Sequence, residues 1–148
     1  QQVQAAELEL RAELDHQRWA LVNAVIADLP ARLAQLADDE ARYLPLLLGW
    51  LREGAQAIER ERLLVQVNAR DLQRLQENWQ RYAQQTAPGK QLELSPRAYD
   101  CIGGVLVVSH DGNIRFDNTF EGRMEKLGTA LEAAIAGQLL PDSEETHG

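Results

Sequence analysis

Two side-chain pairs in the sequence could supply a catalytic nucleophile or base, namely Asp100-Cys101 and His110-Asp111. A cysteine nucleophile needs a general base, a group that orients this base and hydrogen-bond donors for an oxyanion. The residues around Cys101 show no local sign of these partners. Asp111 precedes Gly112, and this dipeptide is typical of a tight turn that has no catalytic role. We therefore predict no catalytic residues and keep a small enzyme that uses Cys101 or His110 as an alternative.

The sequence indicates no metal or cofactor site. The three histidines, His16, His110 and His147, fall on a predicted helix, a predicted turn and the C-terminal tail. None is spaced from another as a pair of metal ligands. No Gly-x-x-x-x-Gly-Lys-Ser/Thr loop occurs, and Gly103-Gly104 precedes a strand instead of opening a helix onto a phosphate. We expect no nucleotide, metal or other cofactor.

Length and composition are those of one ordinary globular domain. The chain has 148 residues, of which 45% are hydrophobic and 26% are charged, so it can bury a core of its own. Fifteen Lys and Arg against 23 Asp and Glu give a net charge of −8, which argues against nucleic acid or anionic lipid as the main partner. One cysteine cannot close an intramolecular disulfide, which favours a reducing, cytoplasmic location.

The longest uninterrupted apolar runs cover residues 44–51 and 102–108. Both are much shorter than the roughly 20 residues of a membrane-spanning helix, so we expect only an indirect link to a membrane. The chain begins with Gln1 and has neither an initiator Met nor a signal pattern. We expect it to be part of a longer protein.

The first third of the chain has the pattern of one long helix. Apolar residues recur eleven positions apart, and others fill the same side: Val3, Leu14, Val25 and Leu36, with Leu10, Leu21 and Leu29. An eleven-residue period is typical of a straight or slightly right-handed helix pair. Pro30 lies inside this pattern, and because a proline removes one helical hydrogen bond we expect a kink or break near Asp28-Leu29.

The middle of the chain alternates between helix and strand signals. Acidic residues 38–40 open a Leu-rich amphipathic helix, in which Pro45 predicts either a start near Leu44 or a distorted first turn. Residues 62–67 and 91–95 have the composition of strands. Between them Asn68 caps a single predicted helix that ends at residues 86–89, with Asp71 at the third helical position, as in a capping box.

The segment from residue 100 to residue 119 predicts a hairpin. Residues 105–108 form a continuous apolar strand, Asp111-Gly112 forms the turn, and residues 114–117 form the second strand. Residues 118–121 resemble a capping box that opens a last helix. The fold class is therefore α+β, with helices on a roughly four-stranded mixed or antiparallel sheet after an extended N-terminal helix. We expect a helix over residues 1–37, a head over residues 38–140 and a disordered acidic tail over residues 141–148.

Residues 103–127, GGVLVVSHDGNIRFDNTFEGRMEKL, resemble the E subunit of V-type and A-type rotary ATPases. The run DNTFE at residues 117–121 is the most specific part. Upstream, DDEARY at residues 38–43 before a Leu-rich helix and VQVNARD at residues 65–71 are also similar to that family. The chain departs from the family at Pro30, Pro45 and Cys101.

The resemblance implies a non-catalytic stator protein in a peripheral stalk. In the family, the long N-terminal helix pairs with a helix of the G subunit, and the C-terminal head contacts the catalytic headpiece through the B subunit. Much of the stalk helix would lie outside this chain. On this basis the residues expected to face the partner helix are Val3, Leu10 and Leu14.

The same resemblance assigns structural roles within the head. The Asp111-Gly112 turn would set the strand register, and Asn118 or Thr119 would cap the last helix. Three apolar residues would hold that helix against the sheet: Phe120, Met124 and Leu127. The remaining head residues to which we assign a structural role are Gly103, Gly104 and Asp117.

Alternatives to this interpretation remain at the level of sequence. A stator-like regulator of a flagellar or type III export ATPase also places a similar head on a hexamer, although the DNTFE run favours the V-type family. The others are the small enzyme named above and a free-standing helical adaptor.

Overall fold

The computed structural model describes residues 2–139, which form five helices and four strands. In chain order these are α1 (Gln2–Asp38), α2 (Glu40–Ala57), β1 (Arg62–Gln66), α3 (Ala69–Gln76), α4 (Trp79–Thr86), β2 (Gln91–Leu94), β3 (Gly104–Ser109), β4 (Arg115–Thr119) and α5 (Phe120–Leu139). The chain divides into two compact units. One is Pro30–Arg123, and the other takes the residues up to Leu29 and those from Met124 onward. The predicted disordered tail, residues 141–148, lies outside the described residues.

The four strands form one mixed sheet in the order β2-β1-β3-β4. β1 pairs with β2 in parallel and with β3 antiparallel, and β3 pairs antiparallel with β4. The parallel pair requires a crossover, which α3 and α4 provide. The predicted α+β class, with a four-stranded mixed sheet and a long N-terminal helix, is confirmed.

The core of the Pro30–Arg123 unit lies between α2 and the sheet. The side of α2 that is buried carries residues at helical spacing: Tyr43, Leu47, Leu51, Gly54 and Ala55. Gly54 lies so close to β3 that an added Cβ would stand 2.8 Å from a methyl group of Val107. Val107 pairs with Val65 on β1, and both are 0% exposed. This packing fixes α2 over the centre of the sheet.

Of the kink or break predicted near Asp28-Leu29, the break does not occur, because α1 runs unbroken from Gln2 to Asp38 with Pro30 inside it. Proline has a φ that fits a helix, and its cost is one lost hydrogen bond and a local clash. The turns after Pro30 are anchored, since Ala37 is 0% exposed and its carbonyl oxygen accepts a hydrogen bond from Arg74. This anchoring stabilises the helix beyond the proline.

α2 begins at Glu40, among the acidic residues predicted to open it, and not near Leu44, which was one of the two alternatives given for Pro45. A further helix prediction is wrong. The predicted single helix after Asn68 is two helices, α3 and α4, separated at residues 77–78. α4 begins at Trp79, which is 8% exposed and donates its indole N–H to the carbonyl oxygen of Leu92 at 3.0 Å. A contact between distant parts of the chain therefore accompanies the interruption, and the local apolar spacing contained no signal of it.

α1 is the one helix among the described residues that is long and apolar enough to cross a membrane by length and composition. Its most apolar window has a mean hydropathy of 1.2, and 6% of that window is buried. The uninterrupted apolar runs of the sequence gave no indication of this property. Helices that pack one side against protein have the same length and composition.

Alanine substitutions at two glycines that have the same backbone conformation test how closely β3 and β4 approach each other. Gly104 has φ of 84° and Gly112 has φ of 80°. A Cβ at Gly104 would overlap the carbonyl oxygen of Asn118, whereas nothing lies within 4 Å of one at Gly112. We expect Gly104→Ala to lower the free energy of unfolding by about 3 kcal/mol or more and Gly112→Ala by about 1 kcal/mol. Urea denaturation followed by circular dichroism measures both, and equal losses would contradict the close approach.

Candidate functional site

One side of α1 carries a line of exposed apolar side chains, which we name the α1 stripe. Its members and their exposed fractions are Val3 (71%), Leu10 (61%), Leu14 (46%), Leu21 (68%) and Val25 (58%). Successive members are seven or four residues apart, a spacing that places them on one side of a helix. The three residues predicted to face a partner helix belong to this stripe. Exposed apolar surface of this extent is typical of an interaction site.

A cluster of polar side chains lies where α1 meets α2, and we name it the corner cluster: Tyr43, Arg70, Asp71 and Arg74. The Tyr43 hydroxyl donates a hydrogen bond to Asp71 Oδ2 at 2.8 Å and accepts one from the Gly104 N–H at 2.7 Å. Asp71 is 0% exposed, and its Oδ1 lies 3.4 Å from Arg70 Nε and 3.3 Å from Arg74 Nη1. A buried carboxylate is tolerated only when it is paired and hydrogen-bonded, and these contacts satisfy both conditions.

The corner cluster also holds the end of α1. Arg74 Nη1 donates to the carbonyl oxygen of Ala37 at 2.7 Å, and Arg70 Nη1 lies 3.4 Å from Asp38 Oδ1. Only Asp39 separates α1 from α2. The last carbonyl groups of a helix have no partner within the helix, and cationic side chains stabilise that end. The last turn of α1 is therefore tied to α3 by two arginines.

Three aromatic rings pack edge to face beside the corner cluster. The ring centroids are 6.1 Å apart for Tyr43 and Trp50, 6.0 Å for Tyr43 and Phe120, and 5.4 Å for Trp50 and Phe120. This geometry adds to the apolar burial. Gly103 makes room for the group, since a Cβ there would stand 2.6 Å from the Phe120 ring. Phe120 is 2% exposed, so it anchors the first turn of α5.

Burial raises the pKa of the Tyr43 hydroxyl above its ordinary value of 10.0, and the charge of Asp71 raises it further. The phenol is therefore neutral at physiological pH and donates to Asp71. Arg70 and Arg74 also lie over the Tyr43 ring, with 5.7 Å and 6.0 Å to its centroid, as in cation–π pairs.

The start of α5 differs in detail from the predicted capping box. Thr119 Oγ1 accepts from the Gly122 N–H at 3.1 Å, and Asp117 Oδ1 accepts from both the N–H and the hydroxyl of Thr119. Asn118 instead donates its amide to the carbonyl oxygen of Trp50 at 3.0 Å. Glu121 accepts from the Ile102 N–H. Thr119 is the capping residue, because the Asn118 side chain points at α2.

The other residues assigned to the head lie at its hairpin and in α5. Asp111 Oδ1 accepts from the Ser109 hydroxyl and the Asn113 N–H, and these bonds lower the pKa of Asp111. Gly112 provides the positive φ of the turn. Met124 is half-buried, and Leu127 is 44% exposed. Leu127 is therefore not a buried anchor, in contrast to Phe120.

Sequence reasoning missed the corner cluster, although one signal was present. Asp71 was interpreted as part of a capping box, and its N–H does donate to the Asn68 side chain at 2.9 Å. Its carboxylate, however, contacts Tyr43, which is 28 residues away. Asp71 and Leu75 are four residues apart on one face of the helix, and both are buried. A carboxylate on the apolar face of a helix indicates that it has a buried partner, and this was the signal in the sequence.

Cys101 and His110 do not form a nucleophile–base pair in which the Cys101 thiol is activated. Burial raises the pKa of the Cys101 thiol to about 12, and the nearby Glu121 carboxylate contributes, so the thiol is protonated at neutral pH. A nucleophilic cysteine requires a lowered pKa. His110 is exposed in the hairpin turn. Across residues 2–139, no group of three or more His, Cys, Asp and Glu side chains could hold a metal ion.

Comparison with known proteins gives one consistent result. Residues 1–140 match the model of the family described as "ATP synthase (E/31 kDa) subunit". The E subunit of the V-type ATP synthase of Nitrosococcus oceani is 47% identical over 147 residues, which cover 99% of this chain and 69% of the relative. The E subunit of the A-type ATP synthase is 34% identical in a Desulfurococcus species and 33% in Thermococcus kodakarensis, over 90% and 93% of this chain and 66% and 68% of the relatives. The chain thus spans about two thirds of the length of these proteins.

Removal of the Tyr43 hydroxyl should destabilise the head. We expect Tyr43→Phe to lower the free energy of unfolding by about 2–4 kcal/mol, because it leaves the buried Asp71 carboxylate short of a donor. Tyr82→Phe is the control, since Tyr82 is half-buried and its hydroxyl makes no hydrogen bond with any other described residue. Denaturant titration measures both variants. A loss for Tyr43→Phe no larger than that for Tyr82→Phe would contradict the role of the hydroxyl.

The same pair of variants gives a dependence on pH. The pKa of Tyr43 is raised in the folded state, so its stabilising effect is complete below pH 10 and is lost as the pH rises above 10. The wild-type protein and Tyr82→Phe should therefore lose stability above pH 10 more steeply than Tyr43→Phe does.

Cys101 should react slowly with iodoacetamide. With a thiol pKa near 12, the folded chain contains far less thiolate at pH 8 than the unfolded chain, and we expect alkylation at least about tenfold slower than in denaturant. Mass spectrometry follows the reaction. Equal rates in the two states would instead favour a reactive cysteine and the enzyme alternative.

Proposed function

Because the chain belongs to the ATP synthase (E/31 kDa) subunit family, we propose that it is a stator component in the peripheral stalk of a V-type or A-type rotary ATPase. Its place in the complex is non-catalytic. In this function residues 1–37 belong to the stalk helix, which pairs with the helical G subunit. Residues 38–140 are the head, which attaches to the catalytic headpiece through the B subunit. The protein lies on the cytoplasmic side, peripheral to the membrane, and supports proton or sodium transport.

The α1 stripe is the observation that carries this proposal. Five large apolar residues with 46–71% exposure stand in one line on a helix of 37 residues. Complete burial of a Val or Leu side chain contributes about 1.5–3 kcal/mol, so a second helix laid along the stripe would be held over its whole length. A partner helix is the element whose shape matches a straight apolar line.

The spacing within the stripe also fits a stalk. Val3, Leu14 and Val25 are eleven residues apart, as are Leu10 and Leu21. An eleven-residue repeat keeps two helices in contact with little or slightly right-handed supercoiling. Such a pair resists bending along its axis, as a stator must when the rotor turns.

The charges of α1 favour pairing with protein over insertion in lipid. Seven ionisable residues lie in the first half of α1: Glu7, Glu9, Arg11, Glu13, Asp15, His16 and Arg18. Charged side chains are costly in the hydrocarbon interior, whereas on a helix pair they can remain in water beside the apolar seam. This distribution supports an indirect link to the membrane.

The corner cluster supports the transmission of force between stalk and head. Torque that reaches the head must pass from α2 and the sheet into the last turns of α1. Arg70 and Arg74 contact Asp38 and the carbonyl oxygen of Ala37, and both also contact Asp71. With a single residue between α1 and α2, this joint has few unconstrained backbone torsions.

Charge placed on the α1 stripe should prevent pairing and leave the head folded. We expect Leu10→Asp with Leu14→Asp to reduce the affinity for the co-expressed partner helix at least about tenfold, because two carboxylates would be buried in an apolar seam. Light scattering after size-exclusion chromatography measures the complex, with the full-length forms of both proteins. Circular dichroism and thermal unfolding monitor the head.

The matched control places the same charges on another side of the same helix. Leu8 is 66% exposed and lies outside the α1 stripe, as does the exposed Ala12, so Leu8→Asp with Ala12→Asp should leave pairing nearly unchanged. Equal weakening by both pairs of substitutions, or a one-to-one complex that survives the stripe variant, would argue against the stripe as the interface. An unfolded head in the stripe variant would contradict the division into stalk and head.

A further inference from the structure

The sheet of the Pro30–Arg123 unit has two edges, β2 and β4, and they are protected to different degrees. At β4 the Asp117 carboxylate accepts the Thr119 N–H, and Arg115 is a second charged residue on this strand. Charged side chains and local hydrogen bonds are the usual means by which proteins protect an edge strand. β2, with the sequence Gln-Leu-Glu-Leu, has less of this protection.

The hydrogen bonds of the parallel ladder show which backbone groups of β2 face outward. Gln91 N–H donates to the Glu61 carbonyl oxygen at 2.7 Å, and Ser95 N–H donates to that of Val65 at 2.8 Å. The groups of alternate residues therefore face β1, and those of Leu92 and Leu94 point away from it. The Leu92 carbonyl oxygen accepts a hydrogen bond from the indole N–H of Trp79. The N–H of Leu92 and both backbone groups of Leu94 have no hydrogen-bond partner among residues 2–139, at an edge where Leu92 is 8% exposed and Leu94 is half-buried.

The residues that carry these groups, Leu92 and Leu94, line a groove. It has a volume of about 740 Å³ and runs between β2 and the junction of α3 with α4, lined on the strand side by residues 92–94 and on the helix side by residues 76–81. The volume is within the range of ligand sites, which is roughly 300–1,000 Å³. The two N–H donors and the one carbonyl acceptor are spaced as in a β-strand. This spacing matches the backbone of another extended chain and does not match a rounded small molecule.

The charges around the groove indicate the kind of segment that fits. Glu77 and Glu93 are exposed at its rim, and neither has an ion-pair partner among residues 2–139. The one cation of the lining, Arg81, lies over the Tyr82 ring, 5.4 Å from its centroid. The rim therefore favours a segment that carries Lys or Arg.

We propose that the open edge of β2 is a docking site at which a basic, extended segment of the catalytic headpiece adds to the sheet as a fifth strand beside Leu92 and Leu94. The inference rests on the proposed function, because that function supplies the headpiece as the partner of the head. The added strand cannot donate to the Leu92 carbonyl oxygen, because that oxygen already accepts a hydrogen bond from the Trp79 indole N–H. The added strand therefore ends at this point. Main-chain hydrogen bonds would give the attachment its strength and the acidic rim its selectivity.

Amide hydrogen exchange tests the docking site directly. Exchange at Leu92 and Leu94 is measured by mass spectrometry with residue resolution, on the full-length protein paired with its partner helix and on the same pair bound to the purified headpiece. We expect exchange at these two amides to slow by at least about tenfold in the complex, since each would become a donor to the added strand. Native mass spectrometry verifies that the complex has formed.

Two substitutions at one position separate the backbone from the side chain. Leu94→Pro removes the outward N–H, and an edge strand tolerates a proline at such a position. Leu94→Ala shortens the side chain and keeps the N–H. We expect headpiece binding by Leu94→Pro to be at least about tenfold weaker than by Leu94→Ala. If Leu94→Pro does not fold, Glu93→Lys replaces it, with the exposed Glu59→Lys as its control. Glu93→Lys should then weaken binding and Glu59→Lys should not.

The outcomes distinguish this inference from the proposed function. A complex that forms while exchange at Leu92 and Leu94 is unchanged would overturn the docking site and leave the stator function standing. Equal binding by Leu94→Pro and Leu94→Ala would do the same. Failure of the paired proteins to bind any headpiece would contradict the proposed function and the docking site together.

Discussion

The hydrogen bond between Tyr43 and Asp71 determines how the parts of the Pro30–Arg123 unit meet. Tyr43 belongs to α2, Asp71 to α3, and the Gly104 N–H that donates to the same hydroxyl belongs to β3. The carboxylate is fully buried, so the loss of a partner would leave an uncompensated buried charge, at a cost of several kcal/mol. This requirement holds two helices and the central hairpin in one arrangement. Arg70 and Arg74 extend it to the end of α1.

The two parts of α1 differ in how they are stabilised: the α1 stripe is exposed, whereas the corner cluster binds the last turn. Residues 3–25 of α1 present an apolar line to solvent and gain stability only when another chain covers it. The last turn of the same helix is satisfied within its own chain, through Ala37 and the arginines of α3. One helix thus has an end fixed to a folded unit and an apolar surface available for a partner. A stator protein needs both.

Most elements were predictable because their signals are local. The hairpin turn at Asp111-Gly112 and the apolar strand before it require only the preferences of neighbouring residues, and the structure places both as expected. Where the structure departs from the predicted elements, contacts between distant residues are often involved. α1 continues through Pro30 without the break that was one of two possibilities predicted near Asp28-Leu29, and the turns that follow are anchored by Arg74. The helix after Asn68 divides where Trp79 reaches Leu92. Of the two residues proposed to cap α5, Thr119 is the cap and Asn118 bonds to Trp50 instead.

The sequence by itself determined the α+β class, the strands, most of the helices, the apolar line along α1 and the resemblance to the E subunit of rotary ATPases. Periodicity and short motifs depend only on neighbouring residues. The tertiary structure alone decided the order of the sheet, its open β2 edge and the corner cluster around Asp71. These features depend on pairs such as Tyr43 with Asp71 and Trp79 with Leu92. Such pairs arise from burial and hydrogen-bond satisfaction across the folded chain, and no local pattern specifies which distant partner a buried polar group will take.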